Sequence, residues 1–308
     1  MVETAPLWSV LVLMPAAGAF ALFAAALDAL LAAAAYGRPV APAGAAPLRE
    51  VARLLVTTRR TTPAPDAPLW RLGSAGVTVA ALLASVVTPV GGYAVADLDI
   101  GVVWWTALMA LLWVLVWLAG WGPNSAYSLV AGYRFIAQAL AYEMPLALSV
   151  ITAALAAGSL RLGAIVTAQQ GLWYAAWMPV AFVVYLVCAL AISFWGPFGQ
   201  PVAADLAGGV RAELSGVDRL VFGAGRYVVL AAVAAFAVPL FLGGGLGPLL
   251  PAWLWSLLKM LAVLAALVLA RWRLPLVRTD RFEELAWMVL IPAVLVQMFV
   301  VAVVVLVR

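Results

Sequence analysis

The chain has 308 residues, 67% of them hydrophobic and 10% charged, with a formal net charge of +4. Soluble chains are roughly 45–50% apolar and about 25% charged, and these residues cannot supply the polar shell that a compact soluble domain needs. A soluble enzyme, a secreted disulfide scaffold and a disordered chain are excluded, which leaves an all-α polytopic membrane protein whose crossings take roughly 20 residues each.

In chain order, eight apolar stretches are long enough to cross: Leu7 to Ala35, Leu69 to Val90, Val102 to Leu118, Glu143 to Leu160, Trp173 to Phe194, Tyr227 to Leu242, Trp253 to Ala270 and Leu285 to Val307. Lipid offers no partner for backbone groups, so each is expected to be a helix. No polar linker divides the chain, and one transmembrane domain, 1–308, is the expectation. The first stretch follows an acid, Glu3, without a basic region before it, and reads as a span rather than a cleaved signal. Between the first two stretches, Leu48, Val51, Leu54 and Leu55 recur at helical spacing opposite Arg49, Arg53 and Arg59. That pattern predicts a short amphipathic helix lying in the interface.

The arginines sort by loop. Arg38, Arg49, Arg53, Arg59, Arg60 and Arg71 fall in the first loop and Arg134 in the third. The fifth holds Arg211, Arg219 and Arg226, and the seventh Arg271, Arg273, Arg278 and Arg281. The other face carries only Arg161 and Arg308, with Asp97 and Asp99. By the positive-inside rule the basic loops are cytoplasmic and both termini lie outside the inner (plasma) membrane. Trp104, Trp105, Trp121, Tyr127, Trp173, Trp253 and Trp255 sit near span ends and are expected to form interfacial belts. Arginine beside apolar spans is accounted for by topology, so the positive charge does not point to nucleic acid. The chain has no histidine, and its one cysteine, Cys188, lies in an apolar run. Haem ligation, a cysteine cluster and an internal disulfide are therefore excluded, and any redox cofactor is expected in a partner.

Asp28, Glu143, Lys259 and, less deeply, Arg134 fall in or at the edge of apolar spans. A charge at a helix centre costs on the order of 2.5–3.5 kcal/mol on insertion scales, so such residues usually face a polar interior or a proton route. Arg134, nine residues before Glu143, is the expected cation for it.

From Gly120 to Val150 the chain reads GWGPNSAYSLVAGYRFIAQALAYEMPLALSV. Gly120, Trp121, Asn124, Ser125, Tyr127, Ser128, Arg134, Gln138, Tyr142, Glu143, Pro145 and Leu146 resemble, in register, the signature of the quinone-chamber subunit of respiratory complex I. In bacteria that protein carries the letter H, and its relatives occur in energy-converting hydrogenases and formate hydrogenlyases. Ala96 to Gly101, Trp255, Lys259 and Arg271, then Pro275, Arg278, Asp280, Trp287 and Pro292, follow in the family's order.

The resemblance implies a subunit without a redox centre. It would wall a chamber for a shared quinone substrate and dock a peripheral arm whose subunits carry iron–sulfur clusters and a flavin, or a nickel–iron site in the hydrogenase case. It would also pass the consequence to antiporter-like and small membrane subunits. By the same resemblance, Glu143, Asp205, Glu213, Lys259 and Asp28 belong to a proton path. Arg38, Arg53, Arg134, Phe198, Arg226, Arg278 and Asp280 belong to the chamber wall or the docking surface. The chain departs from the family pattern in two cytoplasmic loops. Trp195 stands where the family has arginine, and Arg226 where it usually has glutamate before Tyr227. Ile192, Gly199, Val202 and Ala204 occupy or neighbour the places of acids, while Arg38 survives in a shortened first loop. An anchor subunit of an energy-converting hydrogenase is the alternative. A stand-alone transporter coupled through Glu143 and Lys259 is a third reading, although no internal repeat supports it.

Overall fold

The computed structural model describes residues 2–6 and 8–307, so Leu7, the expected start of the first span, and Arg308 lie outside the described residues. The helices are α1 (Ser9–Ala35), α2 (Ala46–Val56), α3 (Ala67–Ser85), α4 (Gly101–Trp121), α5 (Ala126–Ala157) and α6 (Leu162–Ala168). They continue as α7 (Tyr174–Trp177), α8 (Pro179–Ile192), α9 (Gly216–Phe241), α10 (Ala252–Arg273), α11 (Thr279–Leu285) and α12 (Ile291–Val307). Among the described residues eight helices are long and apolar enough to cross a membrane. The last is the continuous rod Thr279–Val307, made of α11, a π-helical turn at Ala286–Leu290 and α12. Pro292 has no backbone N–H to give the turn before it, and the π-turn sits where that ladder is interrupted.

Two spans begin earlier than their apolar runs. α5 starts at Ala126, not near Glu143, and α9 at Gly216, not near Tyr227. Arg134, Arg219 and Arg226 thus lie inside helices, as do Arg71 in α3, Arg271 and Arg273 in the last turn of α10 and Arg281 in α11, a correction to their expected place in loops. Both extensions carry polar groups with partners in the protein: Gln138 Nε2 donates to the Ala191 carbonyl at 2.7 Å, and Arg226 donates to that of Phe194 at 2.5 Å. Hydropathy counts such residues as lipid-averse, whereas the fold keeps them from lipid. At 1.5 Å per residue α5 is about 48 Å long, well beyond a hydrocarbon core of about 30 Å, so its first turns stand clear of the bilayer.

The spans approach closely through small residues, the usual route to helix association in lipid. A Cβ on Gly73 of α3 would collide with the backbone of Ala119 in α4, and one on Gly120 would lie 2.5 Å from the Ser128 carbonyl of α5. One cluster of buried apolar side chains runs from Ala21 to Val301. Trp105 lies within it, fully buried and stacked on Phe236 with centroids 3.9 Å apart, so it is a core residue and not part of a belt. Trp104, Trp121, Tyr127 and Trp253 are exposed.

Loops meet at two ends. At one end, Glu3–Thr4 (β1) pairs in parallel with Tyr93–Ala94 (β2), and Arg161 donates to Asp97 at 2.7 Å. At the other end, Arg59 holds Asp218 through both oxygens at 2.5 and 2.7 Å, and Thr62 donates to the Pro123 carbonyl. Ser125 donates to Glu213 at 2.8 Å and Arg134 to Asp205 at 2.7 Å. The loops rich in arginine therefore share one end of the bundle, as an alternating topology requires.

Candidate functional site

Asp28 sits three-quarters of the way along α1 and accepts three hydrogen bonds. Arg271 Nη1 donates to Oδ2 at 2.7 Å, Trp272 Nε1 to Oδ1 at 2.9 Å, and the Tyr227 hydroxyl to Oδ2 at 3.4 Å. Three spans, α1, α9 and α10, are joined at this carboxylate. Helix α1 ends just beyond it in a Schellman turn: Gly37, at φ +63°, donates to Ala34 and Arg38 to Ala33. The Arg38 side chain emerges exposed beside Tyr36.

An apolar cavity of about 500 Å³ opens between α1, α2 and α9, with Asp28 and Tyr227 among its walls. Gly18, Ala21 and Ala25 line it from α1, Pro47, Val51 and Leu54 from α2, and Gly223 and Ala224 from α9. Leu22 and Ala224 are exposed at its edge. Helix α2 is amphipathic as its spacing predicts, but its apolar face is divided. Leu54 is buried toward the cavity, while Leu48 and Leu55 point outward. On its polar side Arg53 makes a bidentate pair with Glu50 at 2.6 and 2.7 Å, and this pair holds the Glu50 carboxyl below the usual carboxylate range. Arg211 and Arg219 reach the same cavity from beneath.

Glu143 lies elsewhere, half-buried in a cavity of about 270 Å³ lined by Val103, Thr106, Ala107 and Ala110 of α4. No hydrogen bond or ion pair reaches it among the described residues. The expected Glu143–Arg134 pair does not form. Nine residues along a helix are about 13.5 Å and two and a half turns, so the two side chains leave opposite faces. Arg134 pairs with Asp205 instead. Beside Glu143, the buried Tyr142 hydroxyl has no partner among the described residues.

Lys259 is 6% exposed and fully engaged. Its Nζ donates to the carbonyls of Leu242, Gly244 and Leu246 at 2.6, 3.0 and 2.6 Å, and lies 3.9 Å from the Trp173 ring centroid. These carbonyls follow the C-terminus of α9, where a cation also meets the negative end of the helix dipole. Phe198 is buried against Phe282, with centroids 4.3 Å apart. It pins the loop after α8 to α11, assisted by Val277 N–H on the Pro197 carbonyl and by Thr279 on Gln200. Arg278 and Asp280 form a bidentate pair at 3.0 and 3.1 Å on the exposed edge of this joint.

The structure thus distributes the expected site residues over four places: Asp28 in the wall between α1 and α10, Glu143 in its own cavity, Lys259 toward the opposite end, and the remaining charges on the basic end. Tyr227, Arg271 and Trp272 complete the Asp28 site and were not among the expected site residues. Their signal was an acid in the first span that required donors at its own depth. Among the described residues no three metal-ligating side chains come together.

Eight helices long and apolar enough to cross a membrane, an apolar cavity between three of the helices, an ionic cluster at its wall and a basic loop face define a multi-pass helical membrane protein. The chain belongs to the NADH dehydrogenase family, whose family model matches residues 8–302. Its relatives include H subunits of NADH-quinone oxidoreductase. With the second of these in Geobacter sulfurreducens it is 35% identical over 265 residues, covering 82% of this chain and 80% of the relative. With that of Geobacillus kaustophilus it is 35% identical over 261 residues, covering 83% and 78%. With the second of Cereibacter sphaeroides it shares 39% identity over 211 residues, covering 68% and 66%.

Proposed function

We propose that the chain is the quinone-chamber subunit of a complex I-type NADH-quinone oxidoreductase, with no redox centre of its own. The observation that carries this reading is the apolar cavity between α1, α2 and α9. It opens beside the exposed Leu22 and Ala224 of two membrane-spanning helices and reaches Asp28 and Tyr227, behind which Arg271 pairs with Asp28. A lipid-soluble quinone needs such a lateral route, with an apolar run for its tail and polar groups where its head arrives.

The basic end, with Arg38, Arg53, Arg273 and the Arg278–Asp280 pair exposed on it, is the cytoplasmic docking face for a peripheral arm that carries the flavin and iron–sulfur clusters. Both termini then lie on the outer face of the plasma membrane. Glu143, unpaired in a cavity with room for water, is the carboxylate of the proton path toward antiporter-like and small membrane subunits.

The test fills the cavity without disturbing the helix. A Cβ on Gly223 meets nothing within 4 Å, so Gly223→Leu leaves the backbone without a clash and extends into the cavity that Gly223 lines. In the intact complex, KM for a long-tailed quinone should rise about tenfold, the equivalent of roughly 1.4 kcal/mol. Reduction of ferricyanide by the peripheral arm should stay unchanged. Unaltered quinone kinetics in an assembled complex would defeat the proposal.

A further inference from the structure

The basic end holds a second cavity, of about 410 Å³, walled by the loop after α8 and the end of α10 and lined by Arg211, Arg226 and Arg271. Arg271 has its counterion in Asp28, but the other two have none among the described residues. Arg226, 7% exposed, donates to the Phe194 and Ser193 carbonyls at 2.5 and 3.4 Å, and its guanidinium lies 4.5 Å from the Trp195 ring centroid. Carbonyl dipoles and a ring face satisfy its donors without cancelling its charge. Arg211 has one long bond, Nη2 to the Val202 carbonyl at 3.5 Å, and its buried Nε has no partner. Burial, with Arg219 and Arg271 close by, pulls Arg211 below the ordinary arginine value.

Among the described residues no carboxylate lines this cavity. The two acids of the same loop are turned away, Asp205 to Arg134 and Glu213 to Ser125. An uncompensated buried charge costs several kcal/mol, and here two share one space. The guanidinium fork matches a tetrahedral oxyanion. The volume also exceeds what such an anion needs, given that a water takes about 30 Å³.

We propose that this cavity is a binding site for a phosphate group. Arg211 lines it and the apolar cavity alike, so a phosphate carried on an acidic phospholipid would have a place for its acyl chain alongside. The phosphate site does not rest on the quinone reading, although an acyl chain beside it would share the apolar cavity, and its test measures binding and not turnover.

The full chain in detergent is titrated with phosphatidylglycerol, phosphatidylcholine and inorganic phosphate, following bound lipid by native mass spectrometry and phosphate by the rise in melting temperature over chloride at equal ionic strength. Three variants accompany it. Arg211→Gln removes a cation that has no counterion among the described residues, Ala203→Glu places an acid in the cavity wall, and Arg278→Gln removes an exposed cation outside it. Phosphatidylglycerol should bind about tenfold more tightly than phosphatidylcholine. Arg211→Gln and Ala203→Glu should abolish that preference, and Arg278→Gln should keep it. If inorganic phosphate stabilises the chain in an Arg211-dependent way while the two lipids bind equally, the site stands and its occupant is the free anion. The proposal is overturned if neither phosphate nor the acidic lipid is preferred. It is equally overturned if the preference survives both cavity variants or falls equally in Arg278→Gln.

Discussion

Asp28 is an acid on the least enclosed of the spans, and its neighbours explain how it is tolerated. Its side chain is 12% exposed and accepts from an arginine, an indole and a phenol. Asp28→Asn keeps the shape but removes the charge that Arg271 faces, so the purified chain should lose about 1–3 kcal/mol of stability, read as a lower melting temperature. The double variant with Arg271→Gln should be less destabilised than the sum of the two singles, because the second change removes the stranded cation. Strict additivity would mean that Arg271 is merely adjacent. The sequence made Asp28 conspicuous as a costly charge, but its partners lie 199 to 244 residues away, a separation that no local pattern encodes. The Arg134–Glu143 expectation failed for the opposite reason. The two are close in sequence, yet helical periodicity alone sets them on opposite faces.

At the scale of elements, charges fix how helices end. Lys259 of α10 holds three carbonyls that α9 and its following loop leave over, and Gln169 serves the same turn by donating to Pro239 and accepting from Gly243. Lys259→Met leaves those carbonyls bare, at about 1–3 kcal/mol for an unsatisfied buried group, and the α9–α10 joint should become the first site of limited proteolysis. If the melting temperature stays put while proton pumping collapses, Lys259 acts in transport and not as this clamp.

On α2 the Glu50–Arg53 pair is surface-exposed and its contribution small, but its pH dependence has a definite sign. The folded-state pKa of Glu50 is depressed, so the contribution is present above the unfolded value of about 4.3 and is lost as pH falls through the lower folded value. A nitroxide at Leu55 should grow more mobile on acidification below about pH 4.3, and Glu50→Gln should be equally mobile at neutral pH. The amphipathic spacing of α2 and the existence of all eight spans were readable, because each is a local, periodic property. The starts of α5 and α9 were not, because they depend on polar residues whose partners lie in other elements: Arg134 on Asp205, Gln138 on Ala191 and Arg226 on Phe194.

For the whole molecule, the loop sorting by arginine agrees with the end at which those loops cluster, and the charges left inside the bundle are few and separate. Asp28 is tied to Arg271, Lys259 to carbonyls, and Arg226 to carbonyls and indole, so each is engaged within the protein. Among the described residues Glu143 is the exception, half-buried beside the Tyr142 hydroxyl, itself without a partner there, in a cavity with room for water. A carboxylate without a structural partner contributes little to the fold, so Glu143→Gln, which preserves shape, should leave assembly and melting within about 0.5 kcal/mol of the parent. It can no longer bind and release a proton. In the complex reconstituted into vesicles, NADH oxidation by quinone should continue at a reduced rate while the protons moved per electron fall toward zero. Glu143→Asp, which restores the titratable group at a shorter reach, should recover part of the ratio. A full proton ratio in the glutamine variant would remove Glu143 from the path. The coupling would then run through another of the expected proton-path residues, and the same ratio measured in Asp28→Asn tests the acid buried against Arg271.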